Sequence, residues 1–273
     1  MSISPGSKVS QYEILAGVGS GGMGEVFRAK DSRLGRQVAI KVLPGHLAAN
    51  AEARERLRRE AQSAASLDHP FICKVFEIGE ADGSLFLVME LLTGETLFER
   101  LRAGRLPLAE ALRIAREVGE AIEEAHKNGF LHRDLKPANV MLTQGHVKVM
   151  DFGLARQFSS AAPSIIDIGS APTIAAKPAL TAQGAIVGTP DYMSPEQVRG
   201  AHLDQRSDLF SFGILLCEML AESNPFRRDS VTETMAAILR DPPNLAGDLP
   251  QGLMIMIRRP GWADRAEWQP WFR

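Results

Sequence analysis

The sequence predicts an α+β chain in two parts, a small antiparallel sheet followed by a larger helical lobe. Three observations carry this. Apolar residues alternate with glycine-rich turns through residues 12–43, the pattern of hairpin-connected strands. From about Thr96 onward the apolar residues recur at helical spacing instead. Between the two regimes lies Glu90-Leu91-Leu92-Thr93-Gly94, a natural hinge. The 273 residues suffice for one large domain or two lobes sharing a cleft, and an apolar content of 45 % supplies a substantial core.

The elements follow in order. Val38-Ala39-Ile40-Lys41-Val42-Leu43 is a strand by its run of apolar and β-branched residues. Residues 51–67 are charged and alanine-rich, with Leu57, Ala61, Ala64 and Ala65 at helical spacing. Residues 71–78 and 85–91 are expected to be two further strands. Helices are expected over residues 97–101, 108–128, 207–221 and 231–240. Residues 159–185 are rich in Ala, Ser, Pro and Thr, with only Asp167 and Lys177 charged, and are expected to form a long regulatory segment. No internal repeat is evident.

Charge and composition exclude several function classes. Thirty-one basic residues against 33 acidic ones leave no basic excess for nucleic acid or an anionic membrane surface. The longest apolar stretch, residues 210–220, contains Ser211, Gly213 and Glu218, and is too short and polar to span a bilayer. The first residues lack the apolar core of a signal peptide. Cys73 and Cys217 lie far apart in apolar runs and are expected to be reduced core residues of a cytoplasmic protein.

Three motifs carry chemistry. Gly19-Ser20-Gly21-Gly22-Met23-Gly24-Glu25-Val26 is a glycine-rich loop, in which the missing Cβ lets backbone N–H groups approach phosphate oxygens. By itself such a loop is more often just a turn. His132-Arg133-Asp134-Leu135-Lys136-Pro137-Ala138-Asn139 is followed twelve residues later by Asp151-Phe152-Gly153. Gly188-Thr189-Pro190-Asp191-Tyr192-Met193-Ser194-Pro195-Glu196 closes the segment that follows.

Together these motifs resemble the catalytic domain of bacterial eukaryotic-like (Hanks-type) serine/threonine protein kinases, over roughly residues 12–259. The resemblance implies the bilobal protein-kinase fold, with a small-sheet lobe over residues 9–92, a helical lobe over 93–260 and an activation loop over 151–196. It implies transfer of the γ-phosphate of ATP to Ser/Thr hydroxyls of protein substrates, with Mg²⁺ as the metal and Mn²⁺ as a substitute. Asp134 would accept the hydroxyl proton and Lys136 would neutralise charge on the transferred group. Asn139 and Asp151 would hold Mg²⁺ through hard oxygen ligands. Lys41 would hold the α- and β-phosphates, with Glu60 as its ion-pair partner. Glu60 shares a helical face with Leu57, Ala61 and Ala64 and so is expected to look inward. The nucleotide would lie against Val18, Gly19, Ser20, Gly21, Gly22, Gly24, Val26, Ala39 and Met89, with the adenine edge on the backbone of Glu90 and Leu92. His132 is expected to be a structural core residue, and Asp208 to hold the catalytic-loop backbone. Thr189 would belong to the substrate platform. Arg133 would grip an activation-loop phosphate, with Thr181 the first candidate site and Thr173 the second. Self-association for phosphorylation in trans is a further expectation.

The C-terminus departs from the family pattern. Residues 249–259 look like the start of a family helix, which Pro260-Gly261 breaks. The tail 261–273 holds all three tryptophans, and Arg265 is the one nearby candidate to pair with Glu196. The C-terminus is thus expected to be atypical and truncated relative to the family, which leaves two other readings open: a catalytically weak nucleotide-binding scaffold, and an unstable fragment.

Overall fold

A computed structural model describes residues 3–21, 24–44, 51–152 and 190–244. Gly22, Thr173, Thr181, Thr189, Arg265 and the tail 261–273 lie outside the described residues.

The first lobe is built on one six-stranded antiparallel sheet in the order β1-β2-β3-β4-β6-β5. Its strands are β1 (Lys8–Val9), β2 (Tyr12–Gly21), β3 (Gly24–Asp31), β4 (Gln37–Val42), β5 (Val75–Ala81) and β6 (Ser84–Met89). Strand alternation sorts the apolar side chains onto two faces. Val38 and Ile40 of β4 join Phe86 and Val88 of β6 in one cluster with Tyr12, Ile14 and Phe27. Ala39 joins Leu85, Leu87 and Met89 in the other, where helix α1 (Ala51–Ala65) docks through Leu57 and Ala61. Lys41 shares the strand parity of Ala39, so β4 aims it at the α1 side of the sheet, where the cleft lies.

The second lobe is helical: α2 (Leu97–Arg102), α3 (Leu108–Lys127), α4 (Pro195–Arg199), α5 (Gln205–Ala221) and α6 (Val231–Arg240). Ile114, Val118, Ile122 and Ala125 form an inward stripe on α3 at spacings of three and four. α5 is apolar nearly all round and runs through the core, with 13 of its residues buried, from Ser207 to Leu220. Capping boxes start α2 at Thr96 with Glu99, and α4 at Ser194 with Gln197.

A second sheet, β7 (Glu95–Thr96), β8 (Val140–Leu142) and β9 (Val147–Val149), sits at the junction and was not expected from the sequence. It carries the two loops of the site, since the catalytic loop precedes β8 and Asp151 follows β9. The buried carboxylate of Glu117 on α3 fixes this sheet, accepting from the Val147 N–H at 2.8 Å while paired with Arg113 at 3.1 Å. The expected strand over residues 71–78 starts only at Val75. Its first part, Phe71 to Cys73, pairs with β9 through a single bridge, with Cys73 N–H donating to Val149 O and Val149 N–H to Phe71 O. Cys73 and Cys217 are free and buried, as expected, and burial pushes both thiols up to about 12. No helix among the described residues is long and apolar enough to cross a membrane.

Candidate active site

The catalytic loop is a strained segment held from three sides. Arg133 and Asp151 both adopt left-handed backbone conformations, φ 66° and 63°. For residues with a Cβ such conformations persist only where surrounding bonds fix them. Asp208 on α5 supplies two of those bonds, accepting from the N–H groups of His132 and Arg133, each at 2.7 Å. His126 approaches the same carboxylate at 2.8 Å. From α4, the Gln197 amide donates to the Arg133 carbonyl at 2.7 Å. From below, the Nε2–H of His132 donates to the Met150 carbonyl at 2.9 Å, and its Nδ1 accepts from Asp134 N–H at 3.3 Å. That pattern requires a neutral ring, and burial holds the imidazole below its usual range. The ring also lies against Phe152, 4.6 Å between centroids. His132 and Asp208 are therefore structural, as the sequence reading expected.

This frame gathers the chemically expected residues. The Lys136 ammonium donates to Asp134 Oδ2 at 2.7 Å, and the Asn139 amide donates to the same oxygen at 3.0 Å and to the Asp134 carbonyl at 2.8 Å. Met150 N–H donates to the Asn139 carbonyl at 2.9 Å, joining the catalytic loop to the segment that presents Asp151. Asp134 and Lys136 remain partly open to solvent. Asp151 reaches the other way, with its Oδ2 2.7 Å from the Lys41 ammonium. Lys41 is otherwise buried, so this charge-assisted bond ties the sheet lobe to the segment after β9. The sequence reading gave Lys41 a different anion, Glu60. Glu60 lies in α1, and its side chain is outside the described set.

The walls expected for the nucleotide also converge. Val26, Ala39, Met89, Leu91, Leu92 and Met150 belong to one apolar cluster at the cleft. Above it, β2 and β3 pair from Tyr12↔Asp31 to Gly21↔Gly24, with an irregularity between Gly17 and Gly19, and Val18 is exposed. Gly24 has φ 114°, and a Cβ there would meet the Val42 carbonyl at 2.0 Å. Behind Met89 lies a cavity of about 20 Å³ lined by Ala61, Cys73, Leu87 and Phe152, among others. The Glu90 N–H donates to the Lys74 carbonyl at 2.9 Å, and its carboxylate turns out of the cleft to Lys148 at 3.0 Å. Glu196 accepts from Ser207 Oγ at 3.0 Å.

The sequence profile of the protein kinase domain matches residues 12–251. The chain belongs to the protein kinase domain family. Among family members, it is 44 % identical over 85 % of its length to a Streptomyces coelicolor protein named as a probable serine/threonine-protein kinase, covering 33 % of that protein. It is 39 % identical to the serine/threonine-protein kinase PknB of Mycobacterium leprae, over 90 % of this chain and 38 % of PknB. The chain thus spans little more than a third of these curated relatives. Among solved structures it resembles the kinase domain of PknI from Mycobacterium tuberculosis, with a TM-score of 0.67, 26 % identity and 98 % of each chain covered. The two-lobed kinase fold expected from the sequence is the fold of this family.

Proposed function

We propose that the chain is an ATP-dependent serine/threonine protein kinase, with each motif residue in the role its position supports. The observation that carries this reading is the convergence of Lys136 and Asn139 on Asp134 Oδ2 beside a Lys41–Asp151 pair. Asp134 Oδ2, partly solvated and oriented by two donors, takes the proton of an incoming Ser or Thr hydroxyl. The hydroxyl oxygen bonds to the γ-phosphorus as the bond to the bridging oxygen of ADP breaks. Lys136, already at that carboxylate, meets the charge on the transferred group, and Lys41 grips the other phosphates. Glu60 is the anion proposed to steady Lys41.

The donor set suits Mg²⁺. Asn139 spends its NH₂ on Asp134, which leaves its Oδ1 facing other partners, and Asp151 adds a carboxylate. Two hard oxygen ligands are what a Mg²⁺ shared with substrate phosphates asks of a protein. When bound, the ion neutralises phosphate charge; Mn²⁺ has the same ligand preference. Val26 and Ala39 would form one wall of the adenine site with Met89 at its back, and the Glu90 and Leu92 backbone would meet the adenine edge. Protein substrates, phosphorylation in trans at Thr181 or Thr173, and a cytoplasmic setting where ATP is abundant and the two thiols stay reduced complete the reading.

The test is phosphoamino-acid analysis after incubation of the full chain with Mg²⁺ and γ-labelled ATP. Label on Ser and Thr, abolished by a chelator, is expected. Label on Tyr, or label that survives chelation, contradicts the reading.

A further inference from the structure

A second polar cluster, outside the transfer chemistry, ties the 190–192 turn to the helical core. Asp191 and Tyr192 lie on this 3-10 turn, immediately after Thr189. The Tyr192 hydroxyl donates to Glu218 on α5, and the Tyr192 carbonyl accepts from Ser211 Oγ at 2.7 Å. The Asp191 carbonyl accepts from the Asn224 amide at 2.9 Å. Arg227 closes the cluster, with its Nε 2.7 Å from Asp191 Oδ2 and its Nη2 3.6 Å from Glu218 Oε1.

The burial within this cluster is unequal. The side chains of Asp191 and Glu218 are only 11 % and 13 % exposed, whereas Arg227 is 50 % exposed. Arg227 is therefore the half-exposed member that reaches in from the surface. One guanidinium serves two nearly dry carboxylates, and among the described residues it is the cation paired with both. Burial holds the Glu218 carboxyl above its usual range, against the Tyr192 hydrogen bond and then the Arg227 charge, which both pull it down.

We propose that Arg227 is the positioning residue of the peptide platform, bridging Asp191 and Glu218 so that the turn after Thr189 keeps its place against α5. The role rests on the kinase reading of residues 188–196 as the peptide-receiving segment; the bridge itself does not. Nothing in its spacing marks Arg227 in the sequence, since its partners lie 36 and 9 residues away.

The test compares the full chain with Arg227→Ala and with Arg227→Ala/Glu218→Gln, in which the like-charge pair is removed while a Gln oxygen still accepts from Tyr192. The substrate probe is a degenerate peptide with one central Thr. Arg227→Ala is expected to raise the peptide KM about tenfold, with the ATP KM unchanged, and the double variant to recover most of that loss. Amide exchange at Met193, whose N–H donates to the Pro190 carbonyl at 3.0 Å, is expected to speed up in Arg227→Ala and slow again in the double variant. An unchanged peptide KM, or peptide and ATP KM rising together, overturns the proposal. So does unchanged exchange at Met193, which is read whether or not transfer occurs. Wild-type protein that transfers no phosphate counts against the kinase reading alone.

Discussion

A histidine ring sealed from solvent cannot gain a proton without giving up a bond. His132 is fully buried, donates from Nε2 to Met150 and accepts at Nδ1 from Asp134. Its pKa lies below the usual value because burial outweighs the nearby carboxylates of Asp208, Asp134 and Asp151. The unfolded chain takes up that proton below about pH 6.5 while the native ring does not, so His132 makes stability fall as pH falls through that value. Nitrogen-15 spectra of the ring are expected to show protonated Nε2 and bare Nδ1 still predominant at about pH 6.5, where a free imidazole is half protonated. Titration near 6.5 would show that the ring is not locked. At this scale the sequence was informative where chemistry demands a fixed spacing. Lys136 and Asn139 lie two and five positions after Asp134 and both donate to its Oδ2; the motif singled out all three residues, but not this convergence. The Lys41–Asp151 contact spans 110 positions, and both residues were singled out, but their pairing was not. The Arg227 bridge was missed altogether, since contacts between distant elements leave no local periodicity.

Among the elements, long periodic ones were legible and short ones were not. α6 spans the residues expected for it, and α3 ends one residue short of expectation, at Lys127. β7, β8 and β9 are two or three residues long, below what alternation can signal. The apolar run from Phe71 was taken for the start of a strand because a buried bridge and a buried strand have the same composition. The small sheet also explains Gly94, at the hinge end. Its φ is 150°, and a Cβ would come within 1.9 Å of the Leu142 carbonyl on β8. Gly94→Ala is expected to cost at least about 2 kcal/mol, through steric overlap that must shift backbone rather than a flexible side chain. Gly104→Ala is the control, with φ 126° but nothing within 4 Å. Equal denaturation midpoints for the two variants would contradict the close approach.

Across the whole molecule, the two lobes meet where Leu67, Phe71 and Ile72 pack into the helical core and through a few directed bonds. The sheet lobe contributes Lys41 from a strand buried on both faces, and the helical lobe contributes Asp134, Lys136 and Asn139 from a loop pinned by Asp208 and Gln197. Asp151 connects them. The catalytic frame thus closes within residues 41–208, upstream of the unusual C-terminal sequence. That placement makes the proposed kinase reading independent of the C-terminal sequence, since the bonds that orient Asp134 Oδ2 come from residues 136 and 139. The most direct measurement is transfer of γ-labelled phosphate by the full chain with Mg²⁺ and ATP, beside an Asp134→Asn variant of matched folding. The account predicts label with the wild type, with a rate about 10²–10⁴-fold lower in the variant. Equal label in both, or none from well-folded wild type, would contradict it.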